Sequence, residues 1–360
     1  MQRKLSTHRI INEILEHPNA DALELAHIDG WQVVVGKDQF QAGDSCCFFE
    51  IDSWLPADDL RFEFLAKRGT KKDPSGRERF RLRTVKLRGE LSQGLALPWS
   101  DFFELHEYGN VEGVDFSANL DVIKYERPEP NCGAASGSFP SFLPKTDEER
   151  IQNLWDMWKT LYVDELFVPT LKMDGSSCTV AYLDKQMSDY WKGDGLDVFL
   201  FDEKIGEIIV CSRNLQLKYN EDSHFWRSAI ASGVIEMLRC HRLPLAVQSE
   251  VCGPGIQGNK EKLATFELFV FGMFNYRSQE HLSWEDIQTF CSKELITTVL
   301  TLDEPVAVFT EFDTINGIIR HADGPSLNSP VREGVVWKCI SHPGVSFKVI
   351  SNVFLLGVEN

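Results

Sequence analysis

Apolar positions along the chain fall into two regimes. Up to about residue 100 they come in short runs such as "WQVVVG" and "SCCFFEID", separated by "HIDGW" and "QAGDS". Asp-Gly and Gly-Asp pairs between apolar runs are turn chemistry, so this part predicts short strands joined by tight turns. Short strands of this kind predict a small barrel. "RFRLRTVKLRG" alternates with period two, with Phe80, Leu82, Thr84 and Lys86 on one side and Arg79, Arg81, Arg83 and Val85 on the other. An extended strand there would put Arg79, Arg81 and Arg83 on one exposed face.

The segment 127–140, "RPEPNCGAASGSFP", has the composition of a linker. After it, "DEERIQNLWDMWKTL" spaces Ile151, Leu154, Trp155, Trp158 and Leu161 along one helix face, read as core packing. Strand-like runs at 167–173, 207–211, 246–251, 265–273, 334–339 and 346–350 then alternate with helical patterns near 221–239, 283–297 and 313–321. Ser283 and Asp286 have the spacing of a capping box. The expected fold class is α+β: a β-barrel domain over 1–126, a linker over 127–140, and a second domain over 141–360 with antiparallel sheets and flanking helices.

Composition changes this picture in three places. The net charge of −17 weighs against nucleic acid as a partner, but residues 67–88 carry ten Lys/Arg against Asp73 and Glu78. A local basic stripe on an acidic protein is a footprint for phosphates, with a solvated hairpin face as the alternative. The nine cysteines are odd in number, Cys46 and Cys47 are adjacent, and no pair has Cys-x-x-Cys spacing. That argues against both a disulfide framework and a cysteine zinc site, and predicts reduced thiols in a cytoplasmic or nuclear protein. No apolar run approaches the ~20 residues that span a bilayer. The N-terminus lacks the apolar core of a signal peptide, so neither membrane insertion nor secretion is expected.

Two phosphate-binding patterns are false leads. "GPGIQG" at 253–258 matches Gly-x-Gly-x-x-Gly, but Pro254 sits inside it and no crossover helix fits before the next strand. As a P-loop it has Asn259 where the lysine belongs, and Lys260 is not followed by Ser or Thr.

"LKMDGSS" at 171–177 is more productive. On a strand, Thr170 and Lys172 share a face. A lysine can attack phosphorus only as the free amine, so its pKa must fall from about 10.4. Burial and neighbouring cations both lower it. Attack on an α-phosphate also needs a divalent metal and further cations to neutralise charge. Later strand-like segments carry matching groups: Arg213 in "CSRN", Glu250 in "QSEVCG", Phe269 and Phe271 in "FELFVFGMF", Glu333 and Lys338 in "REGVVWK", and Lys348 in "SFKVIS". Simple core packing remains the alternative for Phe271.

Lys-x-Asp-Gly, Glu-x-x-Gly, a Phe-rich strand, Glu-Gly-x-Val and a Lys-containing strand, in this order, resemble motifs I, III, IIIa, IV and V of the covalent nucleotidyltransferases. "HPNADALELAHIDGWQVVV", "GDSCCFFEIDSWLP" and "VKLRGELSQGLALP" are similar to the OB domain of ATP-dependent RNA ligases of the Deinococcus/Naegleria type. "FPSFLPKTDEERIQNL" resembles the start of that family's catalytic domain. Only residues 351–360 follow the last motif. Capping enzymes and most DNA ligases carry an OB domain there, so the order favours the RNA ligases.

The resemblance implies an N-terminal OB-fold barrel and a ligase-type nucleotidyltransferase domain. It implies that Lys172 accepts AMP from ATP as a lysyl phosphoramidate. Asp174 and Glu333 would hold Mg²⁺ or Mn²⁺, Glu250 the ribose, Phe271 the adenine and Lys348 the α-phosphate. Lys338, Arg213 and Arg150 would bind phosphates of ATP or RNA. Arg79, Arg81 and Arg83 would meet the nucleic acid, a nicked duplex of RNA or containing RNA. A monomer is expected. The chain departs from the family at Ser346, where many ligases have a second motif V lysine. It departs again at Gly272 in place of Asp, and at Ser177 in place of Arg or Asn. Other readings are an OB-type tRNA- or RNA-binding protein with an inactive transferase domain, and a DNA ligase or capping-type nucleotidyltransferase.

Overall fold

The structure is a computed structural model and describes residues 3–126, 135–193 and 207–357. The chain divides into two compact units, Met1–Pro128 with Leu355–Asn360, and Glu129–Phe354.

In the first unit, Trp31–Gly36 alternates inward and outward, burying Trp31, Val33 and Val35. It pairs antiparallel with Leu23–Ile28, which pairs in turn with Glu13–Glu16. Ser45–Phe49 is the middle strand of a second antiparallel sheet, between Ser6–Ile10 and Leu95–Pro98. Its apolar run is continuous because both faces are covered. Cys46 and Phe48 join the core of Trp31 and Val33, whereas Cys47 and Phe49 join that of Phe62 and Phe102. The adjacent cysteines thus serve different cores, and burial pushes both thiols up, Cys47 to about 12. The eight described cysteines are free thiols.

The expected arginine face does not form. The strand Glu78–Arg81 stops after Arg81, and Val85–Leu87 pairs with Glu90–Ser92 in a separate hairpin. Arg79 is buried, its Nε 2.8 Å from Asp73 Oδ2 and its Nη1 3.0 Å from Asp121 Oδ2. Asp73 closes its own turn by accepting from the N–H groups of Ser75 and Arg77 through Oδ1, which leaves Oδ2 for Arg79. Arg81 covers the Tyr125 ring at 3.6 Å, and Arg83 alone of the three is exposed. Other exposed cations of this region include Lys67 and Arg68, ending the 3₁₀ helix Leu60–Arg68, and Lys71 and Lys72 on the next strand.

The second unit has two sheets. A seven-stranded antiparallel sheet runs Ala135–Ser138, Leu215–Leu217, Glu207–Cys211, Ser176–Leu183, Leu245–Cys252, Glu267–Asn275, Glu280–His281. A five-stranded sheet runs Glu149–Arg150, Ser346–Ile350, Gly334–Cys339, Leu166–Lys172, Val306–Ala307, its first pair parallel and the others antiparallel. One core joins Val168 and Leu171 of the smaller sheet to Val180, Val210, Val247 and Val270 of the larger. A second core of Phe167, Val335, Trp337, Phe347 and Val349 covers the other side of the five-stranded sheet, with Ile151, Leu154 and Trp155 packed into it.

Several boundaries differ from the sequence pattern. Ala135–Ser138, which composition assigns to a linker, is a paired strand of the large sheet, while 127–134 lie outside the described residues. The helix expected from the tryptophan stripe is shorter. Glu149–Arg150 is strand, the helix is Trp155–Leu161, and Leu161 is exposed. The pattern at 221–239 splits into His224–Ala231 and Val234–His241 because Gly233 adopts φ 79° between them. The other two expected helices form as Trp284–Lys293, capped by Ser283 Oγ accepting the Asp286 N–H at 3.1 Å, and Ile315–His321, capped by Thr314.

Candidate active site

Register gathers the candidate cations. Lys172 ends its strand opposite Gly334, and Thr170 lies opposite Val336. Val336 is opposite Lys348, which pairs with Arg150 on the parallel edge strand. Lys338 is opposite both Val168 and Ser346. Directly opposed residues point to the same side of a sheet, and so do residues two apart on one strand. Lys172, Lys338, Lys348 and Arg150 therefore stand on one face. Lys338 faces Ser346 directly, so an ammonium occupies the strand beside the position where the second motif V lysine is missing.

Glycines bring the carboxylates in. A Cβ on Gly334 would lie 2.1 Å from the Val349 carbonyl oxygen, so only glycine lets the strand start after Glu333 at this depth. A Cβ on Gly175 would lie 2.4 Å from the Val251 oxygen and 2.8 Å from Glu250 Cγ. That close approach lets the Gly175 N–H donate to Glu250 Oε1 at 3.1 Å. The glycines of Lys-x-Asp-Gly and Glu-Gly-x-Val are thus packing requirements of the site.

Electrostatics at Lys172 run against the expectation of a lowered pKa. Burial pushes the amine down, but the Glu333 and Glu250 carboxylates outweigh it, and the net direction is up. Glu333 Oε2 accepts from Lys172 Nζ at 2.7 Å. Glu250 is pushed up to about 8, chiefly by burial, with Glu333 and Asp174 adding repulsion and Lys172 opposing it. Lys348 goes the other way, down to about 8, from burial and the neighbouring charges of Lys172 and Arg150. Lys338 is lowered by burial.

Phe271 sits at a β-bulge. The ladder runs Ser249 to Val270 and then Gln248 to Gly272, which leaves Phe271 without a facing residue. A bulge re-aims a side chain, and Phe271 is only partly buried where Phe269 is core. A Cβ on Gly272 would lie 2.7 Å from Gln248 Oε1, the movable end of a side chain, so a larger residue there would displace Gln248. Phe271, Trp284, His281, Lys338 and Ser346 line a cavity of about 180 Å³. The Lys338 ammonium is 5.8 Å from the Phe271 ring and 5.6 Å from Trp284. Lys172, Glu250 and Lys348 are not in the wall of this cavity.

Other predicted residues sit apart or are engaged. Arg213 Nη2 donates to Asp147 Oδ1 at 2.6 Å and is exposed. Ser177 Oγ is 2.9 Å from Thr146 Oγ1. Arg79, Arg81 and Arg83 belong to the first unit. Sequence reasoning missed two residues. Glu148 exerts its charge on Lys172, Lys338 and Lys348 together. Lys260 Nζ is 3.0 Å from Asp174 Oδ2. Glu148 lies inside a segment already set apart by the resemblance, but nothing local marks its charge effect on three lysines.

The donor chemistry fits a hard divalent ion. Asp174, Glu250 and Glu333 offer only oxygen, and their mutual repulsion is what a cation would relieve. Among the described residues no group of three or more His, Cys, Asp or Glu is arranged to hold a metal by itself. The protein would supply two carboxylates, and water and phosphate the rest, as Mg²⁺ commonly requires.

Comparison with known proteins agrees with this architecture. An OB-fold domain model matches residues 5–99, and the RNA ligase family model matches residues 165–350. Among solved structures, a mutant Naegleria gruberi RNA ligase with AMP and Mn is 35% identical, covers 98% of each chain and has a TM-score of 0.80. A second mutant of that ligase, with ATP and Mn, has the same identity, coverage and TM-score. The same ligase with PPi is 35% identical at a TM-score of 0.78, again over 98% of each chain. A comparison with curated proteins finds no match. The chain belongs to the RNA ligase family, in the form that carries an OB-fold domain before the ligase domain. No helix among the described residues is long and apolar enough to cross a membrane.

Proposed function

We propose that the protein is an ATP-dependent RNA ligase that seals 3′-OH/5′-phosphate nicks in duplexes containing RNA, acting as a monomer in RNA repair. The observation that carries this reading is Lys172 at a strand end, with Lys348 and Arg150 across the sheet and Glu333 against its amine.

Three displacements at phosphorus follow. In the first, the free amine of Lys172 attacks the α-phosphorus of ATP. The N–P bond forms, and the P–O bond to pyrophosphate breaks with its electron pair leaving on pyrophosphate. In the second, the 5′-phosphate of the RNA attacks the lysyl-AMP phosphorus, and Lys172 leaves and regains a proton. In the third, the RNA 3′-OH attacks the activated 5′-phosphate and AMP departs.

Asp174 and Glu333 would hold Mg²⁺ or Mn²⁺, which supplies charge neutralisation at the α-phosphate. Glu250, which accepts the Gly175 N–H through Oε1 and is raised chiefly by burial, would hydrogen-bond a ribose hydroxyl. Phe271 offers its face to adenine from the bulge. Lys348 and Arg150 face the α-phosphate, and Lys338 supplies the charge that Ser346 does not. Arg213, exposed and paired with Asp147, would bind phosphates of ATP or RNA. Free thiols support a reducing compartment, cytoplasmic or nuclear.

Nicked duplexes with ribose or deoxyribose on the 3′-OH side test the substrate. Sealing should require ribonucleotides at that end, and equal sealing of all-DNA nicks would overturn the RNA assignment.

A further inference from the structure

The stretch "GPGIQGNKEK", which fits neither a dinucleotide site nor a P-loop, wraps the two carboxylate-bearing turns. Six of its residues, Gly253, Gly255, Gln257, Gly258, Asn259 and Lys262, have positive φ, so the backbone is tightly coiled. Ile256 and Leu263 anchor it in the main core. Asn259, standing where a P-loop would need lysine, clamps the coil by bonding both the N–H and the carbonyl of Leu263. Gln257 Nε2 donates to the Gly175 carbonyl at 3.3 Å. The next two contacts point in opposite directions. Lys260 Nζ meets Asp174 Oδ2 at 3.0 Å. Buried Glu261 accepts from Ser326 Oγ and from the Asn328 N–H, in the loop that leads to Glu333.

We infer that Lys260 is a positioning residue that occupies Asp174 until the divalent ion arrives. The inference rests on the proposed metal role of Asp174 and goes beyond it. The two proposed metal carboxylates are each capped by an ammonium, Glu333 by Lys172 and Asp174 by Lys260. Lys172 must give up its partner to react. The Phe354 ring lies 3.5 Å from the Lys260 ammonium, a second partner that would retain it once it is pushed off Asp174. An incoming dication therefore competes with a tethered monocation. Meanwhile Glu261 keeps the Asp174 turn in step with the loop before Glu333.

The test is manganese binding to the full chain without ATP, read as free Mn²⁺ by electron paramagnetic resonance. Wild type is compared with Lys260→Met, Lys260→Gln, Lys260→Arg and Asp174→Asn, with folding checked by circular dichroism. Two neutral variants are used so that a folding defect in one does not decide the result. Removing a partly exposed ion-pair competitor should tighten manganese binding about two- to fivefold in the neutral variants, with Lys260→Arg close to wild type. Half-saturating Mn²⁺ for lysine adenylylation should fall by the same factor. Unchanged or weaker binding in folded neutral variants overturns this inference alone. Wild-type binding that Asp174→Asn does not weaken overturns the metal assignment itself, and this inference with it.

Discussion

Lys172 Nζ lies 2.7 Å from Glu333 Oε2, so without ATP the proposed nucleophile is held as an ammonium by a residue proposed to bind the metal. Burial favours the free amine, but the carboxylates keep its pKa above the ordinary value. Glu333→Gln should therefore raise the reactivity of Lys172 toward acetic anhydride in the ATP-free protein, read by mass spectrometry. The same change should cut adenylylation about a hundredfold or more, because a charge-neutralising group is lost. Unchanged Lys172 labelling would mean that the ion pair does not control its protonation.

Lys348 should show a conflict between stability and function. Its folded pKa falls to about 8 from an ordinary value near 10.5, so the folded state disfavours the charged form. That cost is fully present below about 8 and vanishes as pH rises toward the unfolded value. Lys348→Met should accordingly stabilise the ligand-free protein at pH 7 by roughly 1–3 kcal/mol. The gain over wild type should shrink between pH 8 and 10, while adenylylation is lost. Urea titrations at several pH values check the sign.

Two glycines should tolerate no side chain. Gly175→Ala and Gly334→Ala drive a methyl group against backbone carbonyls 2.4 and 2.1 Å away, which cannot swing aside as a side chain would. Each should cost about 1–3 kcal/mol of stability and reduce lysyl-AMP formation. Gly357→Ala, with open space around its Cβ position, is the control and should behave as wild type.

Charge changes in the OB-fold unit should separate into two classes. Arg79→Ala breaks the pairs with Asp73 and Asp121 and should lower the thermal unfolding midpoint. Replacing Lys67, Arg68, Lys71 and Lys72 by Gln should leave the midpoint near wild type. It should weaken nicked-duplex binding and flatten its salt dependence, since these exposed cations are free to meet phosphates. Fluorescence anisotropy across a salt series reads this difference.

Much of the catalytic unit was legible because its strands are apolar runs with one chemical residue at an end. The strands at 207–211, 334–339 and 346–350 fall where the pattern puts them. What escaped depended on partners distant in sequence. Alternation at 79–83 looks like an exposed face until Asp121, 42 positions away, arrives to bury Arg79. Lys172 meets Glu333 across 161 positions, so its raised pKa could not be read from a motif that supplies the lysine alone. The bulge that frees Phe271 is a property of pairing with Gln248 and Ser249, not of its own strand. Lys260 was in plain view inside a rejected motif, and only the fold gave it a partner.

The most direct test of the account is incubation with ATP radiolabelled at the α-phosphate and Mn²⁺, followed by denaturing electrophoresis and peptide mapping. The account predicts acid-labile label on Lys172 that is absent in Lys172→Ala and discharged by RNA bearing a 5′-phosphate. No label on the wild-type protein, or label that persists in Lys172→Ala, would contradict it.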